Sequence, residues 1–197
     1  MGTPQGPGAG WFASVGTMPT PRGTLSWTPA ADRPDLLAHP VAEAVAGHAG
    51  AEVAEIDPSL ADTAALCDAY DVALGASANC VVVRAKRAGV ETYAAVMVLA
   101  THRADVNGTV RRHLGARKIS FAPHDDAVGL TGMEFGGITP VGLPVDWPVL
   151  VDDAVLEAGE VVIGSGLRRS KLLLPAAELL RLPGAERLSL ARPVEDG

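Results

Sequence analysis

At 197 residues the chain is sized for one domain with a substantial core. Apolar residues make up 48% and aromatics only 4%, so that core must be built mainly of Ala, Val and Leu. Sixteen Lys+Arg against 23 Asp+Glu give a net charge of −7, which excludes a globally basic nucleic-acid binder but not one with a local basic patch.

Residues 1–33 are rich in Gly, Pro, Thr and Ser and carry no sustained periodicity, which predicts a flexible N-terminal extension ahead of a domain at 34–197. Trp11, Phe12 and Trp27 are unusual in such a segment, and Trp27 is near enough to the domain to pack on it. The N-terminus has neither a basic n-region nor a continuous apolar stretch, so it does not read as a signal peptide. No apolar run is long enough to span a bilayer. Cys67 and Cys80 lack metal or disulfide-framework spacing and read as buried free thiols of a reducing cytoplasm.

The domain begins with a helix over His39–Gly47, with Pro40 in its first turn, and a short strand over Ala51–Ile56. Asp62 is placed to cap a second helix that runs to Tyr70. Cys80–Arg84 and Tyr93–Ala100 read as an antiparallel hairpin turning over Lys86–Val90, the second strand being apolar enough to be buried on both faces. Asp105 or Asn107 caps a helix that Gly115 ends. A short strand and a second short helix, Asp125–Gly132, follow. Strands near Trp147–Val151, at Val161–Gly166 and at Lys171–Leu174 precede a closing helix over Pro175–Leu182. Helices interleaved with hairpins and single strands predict a mixed α/β (α+β) sheet domain.

The densest local signal is Thr131–Pro144, where four glycines and two prolines fall within fourteen residues. Glycine lets a ligand approach the main chain, and proline holds such a turn rigid. The loop is therefore suited to presenting backbone N–H groups to a carbonyl or phosphate oxygen, although an ordinary turn cluster has the same composition.

Gly136-Gly137-Ile138-Thr139-Pro140, followed by Gly142, resembles the Gly-Gly-x-(Ser/Thr)-Pro-x-Gly signature of the YbaK/prolyl-tRNA-synthetase-associated family of aminoacyl-tRNA editing domains. The order of elements on both sides extends the resemblance over residues 38–190. It implies a mixed, strongly curved sheet flanked by helices, and an aminoacyl ester on the 3′ end of a tRNA as substrate. The partner would be the aminoacylated tRNA acceptor end, with no DNA, membrane or cofactor involved.

Ester hydrolysis needs a placed water and stabilisation of the tetrahedral oxyanion, for which each aimed N–H donor supplies on the order of 3–4 kcal/mol. Gly136, Gly137 and Ile138 are the expected main-chain donors, with Thr139 and Pro140 fixing the loop. Editing members of the family carry a lysine at the start of the first hairpin strand. In this chain Asn79 stands there, an amide without positive charge. Lys86 lies seven residues further along, in the turn, and is not expected to reach the same place. Gly164-Ser165-Gly166 resembles the family's glycine turn beside the substrate pocket. The basic residues that follow it, Arg168, Arg169 and Lys171, are candidate RNA-phosphate ligands or a solvated turn.

His102, His113 and His124 fall on different elements without ligand spacing, so no metal is expected. His113 reads as a helix C-terminal residue, and Asp152 as a helix cap. No Gly-x-Ser-x-Gly elbow, P-loop or complete dinucleotide fingerprint occurs. The leading reading is a free-standing, trans-editing aminoacyl-tRNA deacylase. The alternative is a non-catalytic tRNA/aminoacyl-binding module, because Asn79 replaces the family lysine. Hydrolysis of a small non-tRNA ester or amide by the same loop is a third.

Overall fold

A long antiparallel hairpin forms the spine of the fold. In the computed structural model, which describes residues 18–194, its strands are β3 (Ala78–Arg87), longer at both ends than the apolar pattern alone predicts, and β4 (Val90–Leu99), which starts three residues earlier than predicted. Ala88 and Gly89 make the two-residue turn, both at positive φ (49° and 86°). This is the primed-turn geometry that matches strand twist, with alanine where asparagine is favoured.

Before the hairpin come β1 (Thr28–Pro29), α1 (His39–Val45), β2 (Glu52–Glu55) and α2 (Thr63–Tyr70). After it come β5 (His102–Ala104), α3 (Arg111–His113), β6 (Lys118–Phe121), α4 (His124–Thr131), β7 (Val149–Asp152), α5 (Asp153–Glu157), β8 (Glu160–Gly164), β9 (Ser170–Pro175), β10 (Ala185–Leu188) and β11 (Ala191–Pro193). The strands form a five-stranded mixed sheet in the order β10-β7-β4-β3-β6, a four-stranded sheet in the order β1-β2-β9-β8, and a two-stranded ribbon of β5 and β11. The mixed α/β architecture expected from the sequence is thus the one observed. An isolated parallel bridge between Ser77 and Val162 links the two larger sheets at the mouth of β3.

Strand β4 is buried on both faces. Ala95, Met97 and Leu99 join Val151, Ile163, Leu172 and Val41 in the core between the sheets, whereas Ala94 and Val96 pack with Val106, Val110 and Leu190 behind them. A third apolar cluster covers the outside of the four-stranded sheet, where Leu66 and Cys67 of α2 meet Val162 and Leu173.

Three elements depart from the sequence reading. Residues 18–33, the described part of the segment read as a flexible extension, are built into the fold. Thr20 bridges Val72, β1 pairs with β2, Arg22 reaches Glu52 and Glu160, and Trp27 packs on the cluster around Leu66. The folded unit therefore starts upstream of Pro34; Trp11 and Phe12 lie outside the described residues. The helix after Asp105 opens as a π-helical turn, Val106–Val110, that runs into the single turn of α3. The expected closing helix is a 3₁₀ segment, Ala176–Arg181, because Pro175 and Pro183 leave only a short span between them, where the tighter form is common.

Candidate active site

The loop Met133–Ile138 is laced to the turn after β8. Glu134 N donates to Gly166 O (2.8 Å), and Gly166 N donates to Gly137 O (2.8 Å). Arg168 N donates to Glu134 Oε2 (2.6 Å). A Cβ on Gly137 would lie 2.6 Å from the Leu167 carbonyl carbon, and one on Gly164 would collide with Gly137 O. The two glycine motifs therefore serve first to let two backbones touch.

This contact corrects one expected donor. Gly137 N–H is engaged within the loop, donating to Glu134 O (2.9 Å). Among the described residues the amides of Gly136 and Ile138 have no such partner, and both residues line a cavity of about 330 Å³. The apolar end of that cavity is formed by Leu66, Val82, Ala127, Val162 and Ile163, with Cys80 beside them. Phe121 and Phe135 stand at its rim, both more than half exposed.

The polar side of the cavity is supplied by Asp62, Thr63, Asn79 and Lys171. Lys171 is buried on β9, with Nζ donating to Ala61 O (2.8 Å). Its cross-strand partner on β8 is Gly164, which brings no side chain onto that face. Burial lowers the Lys171 ammonium from 10.5 to about 8, against the raising influence of Asp62. Asp62 occupies the N-cap position of α2, yet its side chain makes no cap hydrogen bond, contrary to the sequence reading. Thr63 Oγ1 donates to Asn79 Oδ1 (2.8 Å), which leaves the Asn79 amide N–H groups as its donors to a ligand. Burial pushes the Cys80 thiol up to about 12, which disfavours its nucleophilic thiolate form.

Of the other sequence candidates Gly164 also lines the cavity, and the rest lie around it. Thr139 and Pro140 are buried behind the loop; Thr139 N reaches Met133 Sδ (3.5 Å), and Thr139 Oγ1 has no hydrogen-bond partner. Gly142, at φ 82°, packs against the Pro40 carbonyl at the start of α1. Gly166 packs on Ala38, and Ser165 is a fully buried hub bonded to Ser170 Oγ (2.7 Å). Arg168 donates to the carbonyls of Phe135 (3.3 Å) and Pro58 (3.2 Å), and Arg169 to that of Asp35. Both guanidiniums tie loops together through these carbonyls, and neither lines the cavity. Lys86 pairs with Glu91 in the hairpin.

A model of the aminoacyl-tRNA editing domain matches residues 57–182. The chain belongs to the aminoacyl-tRNA editing domain family. Its fold is similar to that of a crystal structure described as a candidate trans-editing enzyme for prolyl-tRNA synthetase, at 24% identity over 85% of this chain and 99% of that one, with a TM-score of 0.68. A scaffold protein used in computational epitope grafting is similar at 23% identity over 84% of this chain and 99% of that one (TM-score 0.67). A hypothetical protein is similar at 23% identity over 71% of this chain and 90% of that one (TM-score 0.63). No curated protein matches the sequence.

Within this editing domain the cavity holds one buried ammonium, and it comes from β9 instead of the first hairpin strand. Sequence reasoning placed Lys171 among turn cations, although β9 turns it inward from the exposed Arg169. Among the described residues no group of His, Cys, Asp or Glu could hold a metal ion. His113 faces Glu186 (3.0 Å), and His124 packs on the Phe135 ring with 4.8 Å between centroids. No helix of the described residues is long and apolar enough to cross a membrane.

Proposed function

We propose that this editing domain is a free-standing deacylase that hydrolyses a mischarged aminoacyl ester on tRNA. One observation carries the reading: two unpartnered backbone amides, Gly136 and Ile138, line the same cavity as a buried lysine. The amino-acid side chain enters the apolar end beside Val82 and Ile163. The cavity's volume of about 330 Å³ is enough to hold an aminoacyl group. The ester carbonyl faces Gly136 and Ile138, whose N–H groups, with the Lys171 ammonium, stabilise the oxyanion formed when water attacks.

The water's proton passes to the Asp62 carboxylate. Collapse of the tetrahedral intermediate breaks the bond to the ribose oxygen, which takes up a proton, leaving a free amino acid and a tRNA with its terminal hydroxyl restored. The Asn79 amide, oriented by Thr63, donates to the aminoacyl group. The reaction requires no cofactor.

A panel of aminoacyl-tRNAs incubated with the protein, with ester loss followed over time, tests this reading. Rapid loss for one mischarged pairing supports it. The second reading, a module that binds the aminoacylated end without turnover, is favoured by Asn79 at the family's lysine position. Tight binding with no ester loss across the panel would establish it.

A further inference from the structure

Beside the acyl cavity lies a larger groove of about 1010 Å³, which shares Asn79, Val81 and Phe121 with it. One wall of this groove is the β5–β11 ribbon. In that ribbon Arg103 pairs directly opposite Arg192, so the two guanidiniums leave the same face of an antiparallel pair. Like charges in that register repel.

The chain has 23 acidic residues against 16 basic ones, so carboxylates to quench the pair are not scarce. Other arginines use them: Arg33 meets Asp35, Arg84 meets Asp126, and Arg187 meets Asp153. Among the described residues neither the Arg103 nor the Arg192 guanidinium has a hydrogen-bond or ion-pair partner, and both are exposed to the groove. The groove's own carboxylate, Asp105, caps the helical turn, accepting from Gly108 N (3.0 Å), Thr109 N (2.8 Å) and Thr109 Oγ1 (3.0 Å). Arg112 leans over that cap and donates to Thr109 Oγ1 (3.2 Å). Asn107 adds a neutral polar group, and Phe121, 67% exposed, stands where the groove meets the cavity.

An arginine pair that has no counter-charge among the described residues is stabilised by an anion that bridges it. An exposed aromatic at the junction offers a stacking face for a base. We infer that the β5–β11 groove carries the single-stranded end of the RNA into the cavity. A backbone phosphate lies between Arg103 and Arg192, and a base lies on Phe121. This path rests on the reading that the acyl group occupies the cavity, and it assigns the phosphate to a pair with no carbonyl partners among the described residues, whereas Arg168 and Arg169 each bond a backbone carbonyl.

The test uses an uncharged acceptor-stem RNA hairpin with a single-stranded 3′ end, labelled and followed by fluorescence anisotropy across a salt series. The R103Q/R192Q variant should bind at least about tenfold more weakly, and its slope of log affinity against log salt should be shallower by roughly 1. Its thermal stability should equal or exceed that of the wild type, because a repulsion has been removed. Its turnover of 3′-aminoacyl-adenosine, which has no phosphate, should be unchanged.

Unchanged affinity and slope in R103Q/R192Q would overturn the path, as would loss of slope in R168Q/R169Q alone. Competition by polyglutamate as effective as that by RNA of equal charge would reassign the groove to acidic protein. Absence of ester hydrolysis with any acyl-tRNA, alongside an intact RNA response, would remove the deacylase reading and leave the groove standing.

Discussion

Lys171→Met tests the site most sharply, because it should separate stability from activity. The lysine is buried, and its ammonium is lowered from 10.5 to about 8 chiefly by desolvation. At about 1.4 kcal/mol per pH unit, holding that charge inside the fold costs roughly 3 kcal/mol at neutral pH. The variant also loses the Nζ bond to Ala61 O, which returns a penalty of about 1–3 kcal/mol. The methionine variant should therefore be as stable as the wild type at pH 7, or about 1 kcal/mol more so.

The sign then follows from proton binding. Below pH 8 the lysine is protonated in both states and the full cost is present. Between about 8 and 10.5 the folded state has lost the proton that the unfolded state keeps, so wild-type stability rises with pH relative to the variant. Urea unfolding at pH 7 and pH 10 should show the balance moving toward the wild type by roughly 2–3 kcal/mol. Deacylation by the variant should fall by on the order of 100-fold at pH 7. A stability difference that does not change with pH, or a variant that keeps its activity, would refute the reasoning.

Four further outcomes follow from particular contacts. Ala88→Asn, at φ 49° in the hairpin turn, should stabilise the protein by about 0.5–1 kcal/mol in urea unfolding, since asparagine tolerates that conformation. Gly137→Ala should cost about 2–3 kcal/mol in urea unfolding because its Cβ meets the Leu167 backbone, whereas the cost of Gly136→Ala comes from φ 86° and not from the movable end of Arg168. Cys80, with its thiol pushed up to about 12, should be alkylated by iodoacetamide at pH 8 far more slowly than free cysteine, although it borders the cavity. Asn79→Lys alone should lower kcat/KM by about tenfold by crowding two ammoniums into one cavity, and adding Lys171→Met should recover most of that loss.

What the sequence disclosed and what it hid divide along the range of the interactions. The hairpin, the Asp105 cap and the Asp152 cap depend on neighbours in the chain and were legible from alternation and capping chemistry. The Gly136–Gly137 loop was legible as special, but the reason for Gly137 was not, since it lies in a contact with Leu167 across thirty residues. Asp62 had every local attribute of a cap, yet it opens onto a cavity shared with β9. Lys171 closed a basic run that looks like a solvated turn; only the burial of β9 on both faces turns it inward. The arginine pair was invisible for the same reason, because Arg103 and Arg192 meet through strand pairing between segments far apart in the chain.

One buried carboxylate has consequences at a distance. Asp152 Oδ1 accepts from Ala154 N (3.1 Å), while its Oδ2 accepts from Leu190 N (2.9 Å) and Ala191 N (2.8 Å). It thereby rivets the ribbon bearing Arg192 to the end of β7, within the sheet that also walls the cavity. On the proposed RNA path, a lesion at this inconspicuous aspartate would slacken the ribbon and displace Arg192 while the groups lining the cavity stayed in place. Its signature would be a weakened KM for the whole RNA with undiminished turnover of a truncated substrate, in a residue that touches neither.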